Sequence, residues 1–172
     1  MADTPANPGA TPGANPQAAQ MPQMRVVAQY VRDLSFENPG APDAFRATEP
    51  PKIDVAIEVK TRNAGNDVHE VSIRFRVTAT RDNANIFLVE LDYAGLFELR
   101  NFDDRTRDPV LMIECPRLLF PFARRVLADT TRDGGFPPLM LEPVDFSGIY
   151  RQQMAQRAAQ QGEGGNPPAG NA

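Results

Sequence analysis

The chain has 172 residues, with 22 Asp and Glu against 18 Lys and Arg, one cysteine and one histidine. A formal net charge of −4 argues against a phosphate-binding surface, which needs clustered Lys and Arg, so nucleic acid is not an expected partner. One cysteine closes no disulfide within the chain, no apolar run approaches the roughly 20 residues needed to cross a bilayer, and the N-terminus lacks the pattern of a secretory signal. These features place the chain in the cytoplasm, with no direct insertion into the membrane.

Residues 1–22 are Pro, Gly, Ala, Asn and Gln with almost no large apolar groups, so they cannot bury enough surface to offset their ordering entropy and are expected to be disordered. Met24 to Phe36 reads as a strand apolar on both sides, with Val26, Ala28, Tyr30, Leu34 and Phe36 on one face and Val27 and Val31 on the other. Such a strand calls for cover on both sides. Glu37 to Pro51 is a proline-rich loop that must place Phe45. The next strand, Ile53 to Thr61, turns Ile53, Val55, Ile57 and Val59 inward and Asp54, Glu58 and Lys60 outward, and Asn63, Ala64, Gly65 and Asn66 form its turn.

Asp67 to Arg100 is the organising hairpin. Val71, Ile73, Phe75, Val77 and Ala79 alternate with polar residues, and after Arg81 to Asn85 the period resumes. Phe87, Val89, Leu91 and Tyr93 then share one face, with Ile86, Leu88, Glu90 and Asp92 on the other. A loop centred on Asn83 sets Phe75 near Leu91 and Val77 near Val89 inside, with Arg76 near Glu90 and Arg74 near Asp92 outside. Leu88 is thereby left as a large exposed apolar group. His69 reads as a strand-end residue and Cys115 as a small buried hydrophobe. With so few donors, no metal site and no nucleophile–base pair is expected.

Asp108 and Pro109 read as the N-cap and first residue of a helix in which Leu111, Cys115, Leu118, Leu119, Phe122, Val126 and Leu127 recur at helical spacing. Pro116 and Pro121 predict either a break near Pro116 or a kinked helix. Adding Met112, Ile113 and Phe120 makes the helix apolar nearly all round, which calls for burial against another copy of the chain. Gly134 and Gly135 stop it. The irregular segment that follows presents Phe136, Leu139, Met140, Leu141 and Val144, and proline holds it extended as a cover for a groove. A last helix begins with Asp145 as N-cap, carries Phe146, Ile149, Tyr150 and Met154, and dissolves into a disordered tail over 157–172. One ordered domain is therefore expected over residues 23–156.

The runs RDLSFENPGAP at 32–42, IFLVELDYAGLF at 86–97, CPRLLFPFARR at 115–125 and GGFPPLMLEPVDFSGIY at 134–150 resemble, in the same order, the SecB family of bacterial protein-export chaperones. The likeness covers residues 24–155. It implies an α+β subunit: a four-stranded antiparallel sheet with a long helix and a shorter C-terminal helix on one face. It also implies a homotetramer built as a dimer of dimers, with unfolded precursor proteins and the SecA ATPase as partners. In the family, acidic residues at the positions of Asp33, Glu37 and Glu90, with the leucine matching Leu88, form the SecA-docking surface. The family's long helix packs between dimers, which makes Leu111, Cys115, Leu118, Leu119 and Phe122 the candidate interface, supported by Val89, Leu91 and Tyr93. Of the C-terminal tail that helps contact SecA in the family, only Glu163 is acidic here.

No glycine-rich phosphate loop and no Walker lysine is present, so no nucleotide or other cofactor is expected and holding must proceed by mass action. Phe45, Phe136, Leu139, Met140, Leu141, Phe146 and Ile149 are the candidates for a long apolar groove that takes many segments of one unfolded chain weakly. The competing reading is a tetrameric scaffold or adaptor that binds a folded partner through its acidic sheet surface. Catalysis is not expected. Asp33 and Glu37, the nearest approach to a carboxylate pair, lie on an open strand end with no apolar pocket to tune them.

Overall fold

The computed structural model describes residues 21–163; the disorder expected for residues 1–20 and 164–172 lies outside them. Four strands, β1 (Gln23–Glu37), β2 (Lys52–Gly65), β3 (Val68–Arg81) and β4 (Ala84–Arg100), form one antiparallel sheet in the order β1-β4-β3-β2. The last three make a meander, and β1 closes the far side against β4.

The β3–β4 register is set by the turn together with a bulge just beyond it. Asp82 and Asn83 both take left-handed φ, 50° and 61°, as a two-residue hairpin turn demands. Phe75 stands opposite Leu91, Val77 opposite Val89, Arg76 opposite Glu90 and Arg74 opposite Asp92. A bulge near the turn pairs Ala79 with Phe87 but Thr80 with Asn85. Ile86 is the extra residue, and it is buried beside Gly40 and Ala44 instead of facing outward. The β2–β3 turn falls at Asn66 and Asp67, φ 50° and 60°, so β2 runs on to Gly65.

In β1 the expected faces are corrected by two bulges, between Val26 and Ala28 and between Val31 and Asp33. Each reverses the side-chain phase. Val26, Val31, Leu34 and Phe36 pair with Phe97, Tyr93, Leu91 and Val89 on one face, while Ala28, Tyr30, Asp33, Ser35 and Glu37 lie on the other.

The helical run starts earlier than expected, with α1 (Asp104–Pro109) capped by Asp103, whose carboxylate accepts from the Thr106 N–H at 2.7 Å. This first turn buries nothing, so the apolar period that placed the start at Asp108 could not reveal it. A π turn (Val110–Glu114) leads into α2 (Cys115–Asp133), with the Cys115 N–H bonded to the Val110 carbonyl. The wider turn just ahead of Pro116 accommodates a residue that lacks an N–H and crowds the preceding turn, so no break is needed. The helix ends as the glycines require. Gly135 has φ +89°, its N–H reaches the Arg132 carbonyl, and the Phe136 N–H reaches the Thr131 carbonyl at 3.1 Å. Helix α3 (Phe146–Glu163) continues past residue 157, where a disordered tail was expected.

The core lies between the helices and the odd-numbered residues of β3 and β4. Val71, Ile73, Phe75, Val89, Leu91 and Phe97 meet Leu111, Cys115, Leu119 and Leu127, all essentially buried. Each such side chain contributes about 1.5–3 kcal/mol for removal from water. Sheet and helix approach closely at Gly95, where a Cβ would come within 2.7 Å of Leu119 Cδ2.

Candidate functional site

The two faces of the sheet carry two different surfaces. On the helix side, near the β3–β4 turn, the chain leaving α2 folds back over the sheet. The fully buried Thr131 hydroxyl accepts the Leu139 N–H at 2.9 Å, and the Asn38 side-chain amide donates to the Gly134 carbonyl at 3.4 Å. These bonds hold Phe136 against Phe87, ring centroids 4.7 Å apart, and against Phe45 at 5.3 Å. Phe87 in turn stacks on Phe36 at 6.0 Å. Beside this ladder opens an apolar cavity of about 240 Å³ lined by Ile53, Phe87, Phe136, Leu139, Met140 and four prolines, Pro50, Pro51, Pro137 and Pro138. A second cleft of about 360 Å³ lies on the other side of Phe136, with Phe45 and Arg81 on its walls. Phe45 and Met140 stand 51% and 58% exposed on the walls of these clefts.

Of the seven groove candidates, Phe45, Phe136, Leu139 and Met140 are brought together here. Leu141 and Phe146 are not: both are buried, and Phe146 packs edge-on against Phe120 at 6.0 Å as part of the core. Ile149 is half-buried against that core as well. Pro50, Pro51, Ile53, Phe87, Pro137 and Pro138 escaped the sequence reading as groove residues, although the two proline pairs mark rigid extended segments that cannot pack into a helix or sheet.

The helix-free side holds the acidic row. Glu37 pairs with Leu88, Ser35 with Glu90 and Asp33 with Asp92 across β1 and β4, so Asp33, Glu37, Leu88 and Glu90 occupy one continuous strip. Asp33 and Glu37 are exposed, while Leu88 is half-buried beside Glu37 and Thr78. Glu90 meets Arg76 at 3.3 Å. Arg74 and Asp92 stand opposite without an ion pair. Asp92 is instead buried, 4.0 Å from Arg32. Deeper along this face Glu70 accepts from Arg62 and Arg32, and the Arg62 hydrogen bond holds its carboxyl below the usual range. This network had no signal in the periodicity, which reports only that Glu70 faces outward.

Six of the residues expected at a subunit interface, Leu111, Cys115, Leu119, Val89, Leu91 and Tyr93, are buried inside the chain's own core. They pack where the sheet and helix cover each other. Leu118 and Phe122 remain, 42% and 45% exposed. Met24, Val26, Val31 and Leu34 are exposed on the same side of β1, an edge strand with one face of its backbone unpaired. Among the described residues no helix is long and apolar enough to cross a membrane.

Residues 17–157 match the family model described as "Preprotein translocase subunit SecB". A Maricaulis maris protein named protein-export protein SecB is 55% identical over 177 aligned positions, covering 99% of this chain and all of the relative. One of the same name from Parvibaculum lavamentivorans is 49% identical, with 91% of this chain and 94% of the relative covered. Among solved structures, a SecB-like chaperone of Mycobacterium tuberculosis in complex with an antitoxin peptide superposes with a TM-score of 0.60 at 16% identity, covering 74% of this chain and 93% of that one. That likeness places the fold of sheet plus helices in the same group, and with the family match over most of its length the chain belongs to the SecB family of protein-export chaperones.

Proposed function

We propose that the chain is a holdase that binds unfolded precursor proteins in the groove around Phe45, Phe136, Leu139 and Met140 and delivers them to the SecA motor through the strip of Asp33, Glu37, Leu88 and Glu90. The observation that carries this reading is the placement of the two surfaces. The apolar cavity beside Phe136 lies on the helix face of the sheet, and the acidic strip lies on the opposite face. A precursor can therefore remain held while a motor docks. Holding draws on burial of apolar side chains, and a groove built of loop, proline and methionine residues repacks around different sequences. Weak segments of one client then add through their common tether.

A homotetramer, as a dimer of dimers in the cytoplasm, completes the reading. It is supported by the exposed Leu118 and Phe122 of α2 and by the unpaired apolar edge of β1, since a monomer leaves both wet. Several grooves on one assembly multiply avidity for a long client.

The test mixes the protein with a slow-folding precursor, once unfolded and once folded. Capture of the unfolded form alone supports the holdase. Equal binding of both, or capture of the folded form through the acidic strip, identifies a scaffold or adaptor and overturns it. Light scattering alongside reads the mass, and a monomer at working concentration refutes the assembly.

A further inference from the structure

Glu70 is only 4% exposed although it lies on the face opposite the helices. Its carboxylate is gripped from both edges of the sheet: Arg62 of β2 donates to one oxygen and Arg32 of β1 to the other at 2.8 Å. Arg32 is also the extra residue of a β1 bulge, between Val31 opposite Tyr93 and Asp33 opposite Asp92. In an unbulged strand Val31 and Asp33 would share a face. The extra residue sends Val31 to the helix side and Asp33, Ser35 and Glu37 to the open side.

The apolar pattern requires a reversal between Val31 and Leu34, but that requirement is met equally well with Asp33 as the extra residue. The alternative register sets Arg32 directly opposite Asp92, an attractive pair, and takes Asp33 out of the strip. The observed register sets two carboxylates, Asp33 and Asp92, opposite each other, which by itself is unfavourable. Asp92 Oδ1 is buried without a hydrogen-bond partner among the described residues, and Arg32 Nε stands 4.0 Å from its other oxygen. The guanidinium that Glu70 holds is therefore also the one cation within 4.0 Å of Asp92 among the described residues.

We propose that Glu70 is the positioning residue of the docking strip: by fixing Arg32 as the bulged residue, it selects the register in which Asp33 stands in line with Glu37, Leu88 and Glu90. The inference rests on the reading of that strip as the SecA site, and its test separates the two. Full-length protein carrying Glu70→Gln is titrated with purified SecA, beside Leu88→Arg and Glu90→Lys controls. Docking is expected to weaken about fivefold, the scale of one exposed charged contact. Backbone amide signals of residues 31–34 should shift while capture of an unfolded precursor is unchanged. Adding Asp92→Asn removes the like-charge penalty and should restore docking. Arg32→Ala should reproduce the Glu70→Gln pattern without touching the buried acid. Normal docking by Glu70→Gln when the two controls fail to dock, unmoved β1 amides, or no rescue by Asp92→Asn overturns the proposal. If the controls dock normally, the strip is not the SecA site, and the amide signals alone decide whether Glu70 sets the register.

Discussion

Leu88 and Val89 are neighbours in sequence with opposite assignments, so substituting each in turn tests the account of β4. Val89 is fully buried between Val77 and Phe36 of the flanking strands. Val89→Ala removes two methyl groups, worth about 0.8 kcal/mol each in transfer, plus a term for the cavity left behind, for a total of about 2–3 kcal/mol. For a domain of this size that lowers Tm by roughly 5–10 °C. Leu88→Arg leaves an aliphatic stem over Glu37 and Thr78 and places its charge in solvent, so its cost should stay within about 0.5 kcal/mol. It puts a cation into an acidic strip and should weaken SecA docking at least about tenfold, because a basic partner then meets like charge. Differential scanning calorimetry and a docking titration on both variants read the outcome. Equal losses of Tm would refute the facing of the strand, and so would a docking defect confined to Val89→Ala.

Phe136→Ala removes ring contacts at 4.7 and 5.3 Å, each worth about 0.5–1.5 kcal/mol. Capture of unfolded precursor should weaken about tenfold with SecA docking unchanged; undiminished capture in a fluorescence titration would move the groove elsewhere. Burial, reinforced by Arg107, lowers the pKa of His69 from its ordinary 6.5, against the opposing pull of Asp67 and Asp108. The unfolded chain then binds more protons just below that value, so stability should fall as pH drops through it. Glu70, lowered from 4.5 chiefly by its Arg62 hydrogen bond, adds a further loss at more acidic pH. His69→Gln should flatten the change in urea midpoint between about pH 7.5 and about pH 5.5, and an unaltered change would exclude His69 as its source. Burial pushes the Cys115 thiol up to about 12, so a thiol reagent near neutral pH should label the urea-unfolded chain and leave the native one unmodified. Rapid native labelling would contradict that burial.

What could be read from the sequence depended on whether a residue type carried the signal. Asp82 and Asn83 tolerate left-handed backbone and so marked the turn, while the apolar alternation of Phe75 and Val77 against Val89 and Leu91 marked the register that holds beyond the bulge at Ile86. The β1 bulges carry no such marker: Val27 and Arg32 are ordinary strand residues, and only the pairing with β4 shows that one position is skipped. The first helical turn hid for a related reason, since Asp104 to Thr106 are polar and exposed while the cap, Asp103, stands outside the apolar period. In the candidate groove the sequence named the right segment but could not divide it. Leu141 and Met140 are adjacent and equally apolar, and the Thr131–Leu139 hydrogen bond decides which faces the core and which the cavity. Glu70 was invisible because its role comes from two arginines on different strands, Arg32 and Arg62, each 8 or more positions away.

The separation of the two surfaces has a consequence in salt. On the proposed reading, docking through Asp33, Glu37 and Glu90 would be an attraction between exposed charges, and raising ionic strength from about 0.1 M to about 1 M shortens the screening length from about 10 Å to about 3 Å. Capture beside Phe136 removes apolar surface from water, which salt leaves intact or strengthens. Arg81 and Glu49 both stand on the walls of the cleft next to Phe45, so a highly charged client should show some screening and a neutral client almost none. Docking and neutral-client capture measured across that salt range should therefore diverge, the first falling steeply and the second staying level. Parallel decline of both would mean that the motor and the precursor contact overlapping residues, and the strip on one side of the sheet and the groove on the other could not then be independent sites.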